Sequence, residues 1–383
     1  MQGQWLGRAQ GSNDGQIVVN IEEHKGALVG NAILWEIQKG VPSVVFDIKV
    51  ERQDNELTIK GDNIRALNPH TGRAIPQNQI TLFYPDGYIA KEVTITAEIS
   101  TDGTNIYGEY FTNEVMTGTI SLDKCTAFAN LTSSEEISWD DFKNKVLQPN
   151  SLPFIYRGQN DRRWPLQTSF HRSNRVDLTR YFKHDIRRLY RRVHGLTGMK
   201  FDLHSNKDDL DSLIYLAQHH GYPTPLLDWS LSPFVAAFFA FDGCDEPPSD
   251  KPCCEYARCL NHKKATHVRV FCLDIERWKE DHFQSQWIDT FGITISFIEC
   301  LPSGNNRSTP QQAVSTLSNI DFIEPYLNTM HPSGSGKYLK AFDIPVKHKA
   351  QALRELRLMG IHKASLYPDL ANLCADLKEQ DFS

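Results

Sequence analysis

A chain of 383 residues exceeds one typical domain, so two are expected. With 40% hydrophobic and 23% charged residues it has the balance of a soluble globular protein, and no 18-residue apolar run offers a membrane span. The opening MQGQWLGRAQGSNDG lacks a basic start followed by an apolar stretch, which argues against a secretory signal. With the eight cysteines expected as reduced thiols, the reading is a cytoplasmic protein.

Residues 1–124 read as an all-β domain. QIVVNI, ALVGNAILWEI, SVVFDIKVE, ELTIKGDNI, ITLFYP, EVTITAEIS, NIYGEYF and MTGTISL alternate apolar and polar residues. Asn13-Asp14-Gly15, Asp54-Asn55, Pro85-Asp86-Gly87 and Asp102-Gly103 separate them as turns. Short strands at this spacing predict an up-and-down barrel or a sandwich. Gly3-Gln4-Trp5-Leu6-Gly7 loosely resembles the opening of small ligand-binding barrels such as avidins and lipocalins, with Trp5 read as a core plug.

Residues 125–137 form a polar connection. Ser138 ahead of Trp139-Asp140-Asp141-Phe142 predicts an N-cap and a helix to Leu147, stopped by Pro149 and Asn150. A strand at 153–158 follows, then helices over 176–194 and 207–219, the second ended by Gly221 and Pro223. Leu226-Leu227 reads as a short strand. Ser232 and Pro233 read as the N-cap and first turn of a helix apolar all round and therefore buried. Two stretches, 242–264 and 301–320, carry only loop signals. YLKAFDIP predicts a strand, 346–359 a short helix, and SLYPDLANLCADLK the last helix with Pro368 in its first turn. Strands and helices without strict alternation predict an α+β domain over 134–383.

The net charge of −6 hides a local excess of cations. Between Arg157 and Lys200, twelve Arg and Lys stand against three Asp. Such a run is a solvated helix face or a positive rim that attracts an anionic ligand or nucleic acid. Arg157 ends the apolar strand Phe154-Ile155-Tyr156-Arg157-Gly158-Gln159, where a guanidinium can hold a phosphate bidentately. Gly158 leaves room for a ligand beside the backbone, and Gln159 adds a neutral donor and acceptor. His219 and His220 close a helix, either capping it or lining a pocket and bonding a ribose hydroxyl or phosphate. Thr224, Asp228, Trp229, Ser230 and Ser232 belong to a turn feeding the buried helix, whose free N–H groups suit a phosphate. Neither a Gly-x-Ser-x-Gly elbow nor a Walker loop occurs, which sets aside serine hydrolases and P-loop NTPases. Cys253, Cys254, Cys259 and His262 have a spacing compatible with a tetrahedral zinc that would pin a loop, or with incidental thiols; the site itself is read as metal-free.

The FIYRGQ strand and the run LAQHHGYPTPLLDWSLSPFVAAFFAF at 216–241 resemble the FRG domain, a family named for its Phe/Tyr-Arg-Gly triplet, over roughly 134–380. More distantly they resemble mono-ADP-ribosyltransferases of the Arg-Ser-Glu type. That resemblance implies Arg157 on the NAD diphosphate or ribose, Ser230 positioning the nicotinamide ribose, and a late catalytic glutamate. Glu324 in Phe-Ile-Glu-Pro is preferred, with Glu299 in Phe-Ile-Glu-Cys as the alternative. The chain departs from the family pattern: no Glu-x-Glu or Gln-x-Glu pair occurs late, and NTMHPSGSGKYLKAF lacks the Arg and Gln-x-Gly often found there. The implied function is an NAD-consuming effector, an ADP-ribosyltransferase or NAD glycohydrolase of a bacterial toxin or anti-phage system. The barrel would be its sensor or targeting module, meeting a phage or host trigger, and the transfer target a protein or nucleic acid. The alternatives are a non-catalytic nucleotide or nucleic-acid binder, and an RNA-directed toxin using the basic helix at 180–192.

Overall fold

The structure is a computed structural model that describes residues 1–113, 116–126, 132–148, 154–203, 205–244, 265–285, 287, 290–291, 295–298, 307–329 and 338–382. Its N-terminal part, about a third of the chain, is a closed, antiparallel barrel. The strands are β1 (Gly3–Gly11), β2 (Gly15–His24), β3 (Ala27–Glu36), β4 (Val44–Gln53), β5 (Glu56–Ala66), β6 (Val93–Ile99), β7 (Asn105–Thr112) and β8 (Thr117–Lys124), and β8 returns to pair with β1. Strand alternation sends Trp5, Val19, Ile21, Leu57, Ile59, Ile99 and Leu122 inward, where Trp5 is fully buried. Left-handed turn positions fall where Asp54 and Gly103 stand, at φ of 53° and 71°.

One expected strand is not a strand. ITLFYP begins as the short helix Ile80–Phe83 between β5 and β6. Ile80, Phe83 and Tyr84 sit at helical spacing and pack on Ala66 and Ile75, while the Tyr84 hydroxyl donates to the Leu67 carbonyl at 2.8 Å. That side cluster outweighs the local β preference. The eighth strand is β1 instead, whose polar, Gly-bounded run shows little alternation.

The C-terminal part is built on a seven-stranded sheet of order β13-β14-β11-β10-β12-β15-β9. Its strands are β9 (Ser134–Glu136), β10 (Phe154–Gln159), β11 (Leu226–Ser230), β12 (His267–Asp274), β13 (Ile295–Ile298), β14 (Ala313–Ser318) and β15 (Leu339–Pro345). All neighbours are antiparallel except β15 and β9. The principal helices are α1 (Trp139–Val146), α2 (Arg187–Thr197), α3 (Lys207–His219), α4 (Pro233–Phe241), α5 (Lys349–Leu358) and α6 (Leu370–Phe382).

Caps explain several boundaries. Ser138 accepts from Asp141 N at 3.1 Å and Ser232 from Val235 N at 3.3 Å, as an N-cap requires. Asp369 caps α6 by accepting from Asn372 N at 2.8 Å, so Pro368 lies ahead of the helix rather than in its first turn. The stretch 301–320 is not all loop, since its end forms β14. The helical run expected over 176–194 divides into the short helix Leu178–Arg180, a π-helical turn Tyr181–Ile186, and α2. In α2, Leu189, Tyr190 and Val193 pack on Leu210, Leu213 and Ile214, and Arg188, Arg191 and Arg192 are exposed.

The two parts meet through buried polar contacts. The Glu22 carboxylate accepts from Arg175 Nε at 2.9 Å, from Arg180 Nη1 at 3.3 Å, and from the backbone N–H groups of Val176 and Asp177 at 2.8 and 2.9 Å. Gln4 donates to the Asn319 carbonyl at 2.8 Å and accepts from Asp321 N at 3.0 Å. Among the described residues no helix is long and apolar enough to cross a membrane.

Candidate functional site

The site begins at β10. Alternation sends Ile155, Arg157 and Gln159 to one face of the sheet and Tyr156 and Gly158 to the other, where α4 packs. Strand β10 pairs with β12 at six consecutive positions but with β11 at one, Tyr156 against Ser230. Where that ladder stops, Arg157 Nη1 donates to the Asp228 carbonyl oxygen at 2.6 Å and bridges the strands. Arg157 is half-buried, and among the described residues its Nε is shut off from solvent without a hydrogen-bond partner. Burial lowers its pKa to about 10, Arg172 adds to the effect and Asp228 opposes it, so the guanidinium remains charged at any ordinary pH.

A cleft of about 360 Å³ opens at this point. Seven residues singled out in the sequence line it: Tyr156, Arg157, Gly158, His219, Asp228, Trp229 and Ser230. Five further polar residues of its lining were missed, namely Tyr215, Gln218, Arg307, Gln311 and Tyr367, and Ala236, Phe239 and Ala313 complete the wall. Arg307 was legible in principle, as the one charged residue between 301 and 320. Its guanidinium lies 5.0 Å over the Tyr367 ring and pairs with Asp369 at 2.8 Å.

The polar groups hold one another in place. Asp228 is exposed, and its Oδ1 accepts from Gln218 Nε2 at 2.5 Å and Ser315 Oγ at 3.3 Å. Gln218 is in turn fixed by the Thr224 hydroxyl, which donates to its Oε1. Burial lowers the His219 pKa, helped by Arg307 and His220 and opposed by Asp369, so this imidazole is neutral at pH 7. The Ser230 hydroxyl already donates to the Gln311 carbonyl at 2.8 Å and accepts from Ser232 N at 3.0 Å. Trp229 only borders the cleft; its ring is buried and its Nε1 donates to Thr316 Oγ1 at 2.9 Å.

Other expected residues lie elsewhere. Gln159 shares a face with Arg157 but does not line the cleft; it donates to the Pro165 carbonyl at 3.4 Å. His220 is exposed at the end of α3, and Ser232 is occupied as a cap. Thr224 is fully buried behind Gln218. Glu324 does not line the cleft. Its carboxylate accepts from Thr132 N at 2.8 Å and stands 4.0 Å from Arg269, which is itself paired with Asp343 at 2.7 Å. Burial raises the Glu324 pKa, and the Thr132 contact and Arg269 oppose the rise. Glu299, Cys253, Cys254, Cys259 and His262 lie outside the described residues. Among the described residues no group of three His, Cys, Asp or Glu is arranged to hold a metal.

Gly158 is required for a different reason from the one expected. A Cβ there would fall 1.9 Å from the Ala236 carbonyl oxygen and 2.6 Å from Ala240 N. Helix α4 therefore rests directly on the strand, and the glycine serves that contact.

Fold and site together define a two-part protein: a closed eight-stranded barrel docked on a mixed α/β domain with a polar, cation-bearing cleft. Residues 152–248, from the approach to β10 to just beyond α4, match the FRG domain family, and the chain carries an FRG domain. No curated protein matches the chain.

Proposed function

We propose that the FRG cleft binds a diphosphate-bearing nucleotide, NAD first among them, and breaks its nicotinamide–ribose bond, as an ADP-ribosyltransferase or NAD glycohydrolase. The observation that carries this reading is the convergence of Arg157, Arg307 and Asp228 on one cavity. Two guanidiniums suit a diphosphate. In the glycosidic step the C1′–N bond breaks, its electron pair leaves with nicotinamide, and positive charge grows on the ribose. A carboxylate beside that carbon stabilises the charge. Asp228 takes this role in place of Glu324, with Gln218 and Ser315 orienting it. Water or a target nucleophile then adds to C1′ and releases a proton. The assembly would act as an effector of a toxin or anti-phage system, the barrel sensing the trigger or directing the target.

A second reading, a non-catalytic nucleotide binder, draws support from Ser230, whose hydroxyl is already engaged by backbone groups. One experiment separates the two. The full chain is incubated with NAD, and free nicotinamide and labelled protein or nucleic acid are measured. The enzymatic reading expects turnover that falls at least 100-fold in Asp228→Asn while ADP-ribose still binds. Binding of ADP-ribose that needs Arg157, with neither nicotinamide nor a modified target formed, leaves the binder.

A further inference from the structure

A second cleft adjoins α4. Consecutive aromatic residues of that helix divide between the two clefts: Phe239 lines the one built on Arg157 and Phe238 lines the other, with ring centres 5.8 Å apart. The second is an open groove of about 700 Å³ formed by the turn Val346–His348, α5, residues 361–363 and Asp376 of α6. Its apolar surface comes from Val346, Leu353 and Ile361, which are half-buried, while Phe238 is buried. Arg188, Arg191 and Arg192 on α2 line neither cleft.

The groove is strongly cationic in a chain whose net charge is −6. Five of its thirteen lining residues are Lys347, Lys349, Arg354, Arg357 and Lys363, against two acids, Asp242 and Asp376. Asp376 is buried and its charge is already met. Arg357 donates to both its oxygens, at 2.8 and 3.2 Å, and its Oδ2 lies 3.1 Å from His362 Nδ1. That cluster ties α5 to α6 and fixes the shape of the groove. Lys347, Arg354 and Lys363 remain, and among the described residues none of the three has an ion-pair partner. Cations gathered in a cleft without counter-charge raise the local concentration of anions.

We propose that this groove holds the phosphodiester backbone of a single-stranded nucleic acid, with phosphates on Lys347, Arg354 and Lys363 and sugars against Val346, Leu353 and Ile361. Several cations in so short a groove match a chain that carries a negative charge on every unit. A peptide would need an acid at nearly every position that faces them. Phe238 is buried and offers no ring face to a base, so the contacts fall on phosphate and sugar and tolerate any sequence. A strand held here lies one helix away from the FRG cleft, because α4 is the wall the two share. Its binding is read without NAD, so this inference stands or falls apart from the reading of that cleft.

The test uses the full chain and fluorescein-labelled oligouridylate and oligothymidylate of about twelve nucleotides, followed by fluorescence anisotropy from about 50 to 200 mM salt. The logarithm of affinity should fall against the logarithm of salt with a slope of about −2 or steeper, since each phosphate neutralised on a single strand contributes about −0.7. A clear preference for one strand names RNA or DNA as the source of the backbone. The double variant Lys347→Ala, Arg354→Ala changes two exposed positions and should melt as the natural chain does. It should lose about tenfold or more in affinity at low salt, and its slope should be shallower by about 1.4. The double variant Arg191→Ala, Arg192→Ala on α2 should bind as the natural chain does. No anisotropy change with either strand, affinity undiminished in the groove variant, or a loss confined to the α2 variant would each overturn the assignment. So would competition by poly-glutamate as strong as that by unlabelled oligouridylate, which would give the groove to an acidic peptide.

Discussion

Gly158→Ala is the sharpest test of how the FRG domain is assembled. The added carbon would stand 1.9 Å from Ala236 O and 2.6 Å from Ala240 N, against the 3.0 Å below which real Cβ atoms are essentially never found. Both neighbours are backbone atoms of a buried helix, so no side chain can rotate aside. Helix α4 must lift by roughly 1 Å, loosening Val235, Ala236 and Phe241 against the sheet. Overpacking a tight core costs about 1–3 kcal/mol, and rigid backbone on both sides puts this case at about 3 kcal/mol. For a domain of this size that is a fall of about 6–12 °C in melting temperature. Gly195→Ala is the matched control: it lies within α2, nothing stands within 4 Å of its Cβ position, and the change should stabilise by up to about 1 kcal/mol. Melting of the full chain, followed by far-UV circular dichroism, reads both. If Gly158→Ala melts within about 1 °C of the natural chain, the direct seating of helix on strand is refuted.

Asp321 lies buried where the two parts meet, and burial raises its pKa to about 7 although Gln167 donates to it. Between about pH 4 and 7 the folded chain holds a proton that the unfolded chain releases, so stability falls as pH rises through that window. Asp321→Asn should flatten the slope and gain up to about 4 kcal/mol at pH 8; urea titrations at pH 5 and 8 with the same offset in both proteins would speak against it. Glu22→Gln removes the charge that faces Arg175 and Arg180 while keeping one acceptor oxygen. Because both arginines are partly exposed, the expected loss is about 2 kcal/mol, seen by calorimetry as an earlier or divided transition. An unchanged trace would mean that the docking of barrel and FRG domain does not rest on this cluster.

The site was legible where local signals coincide with tertiary ones. The apolar FIY run before Arg157 reports a buried strand, and Ser232-Pro233 reports the start of the helix that packs on it. Strand β14 was hidden because its Ser315, Thr316 and Ser318 are polar yet buried. Thr316 accepts from Trp229 and Ser315 donates to Asp228, so what makes them core residues is carried by a strand more than eighty positions away. Glu324 shows the limit of order along the chain as a guide. Its place just ahead of β15 matches the expected third catalytic element, but the sheet register sets β15 beside β12, and the carboxylate falls to Arg269 instead. Gly158 was marked for a real reason, close approach, but the approaching body is a helix.

Arg157 has a structural duty as well as a position in the cleft. It bridges β10 and β11 where they share a single paired position, so Arg157→Ala strips the Asp228 carbonyl of its partner at about 1–3 kcal/mol. Loss of ligand in that variant alone would have two explanations. Arg307 separates them. It is held by Tyr367 and by Asp369, and with side chains 32% and 37% exposed that ion pair contributes at most about 1 kcal/mol. Arg307→Ala should leave melting within a few degrees, yet remove a charge-assisted contact worth about 1.5–3 kcal/mol to a diphosphate, a fall of about 10- to 150-fold in affinity. Calorimetry with ADP-ribose measures it. Tight binding that survives Arg307→Ala unchanged would show that the second guanidinium takes no part, and a one-cation cleft has no physical reason to select a diphosphate over a single phosphate.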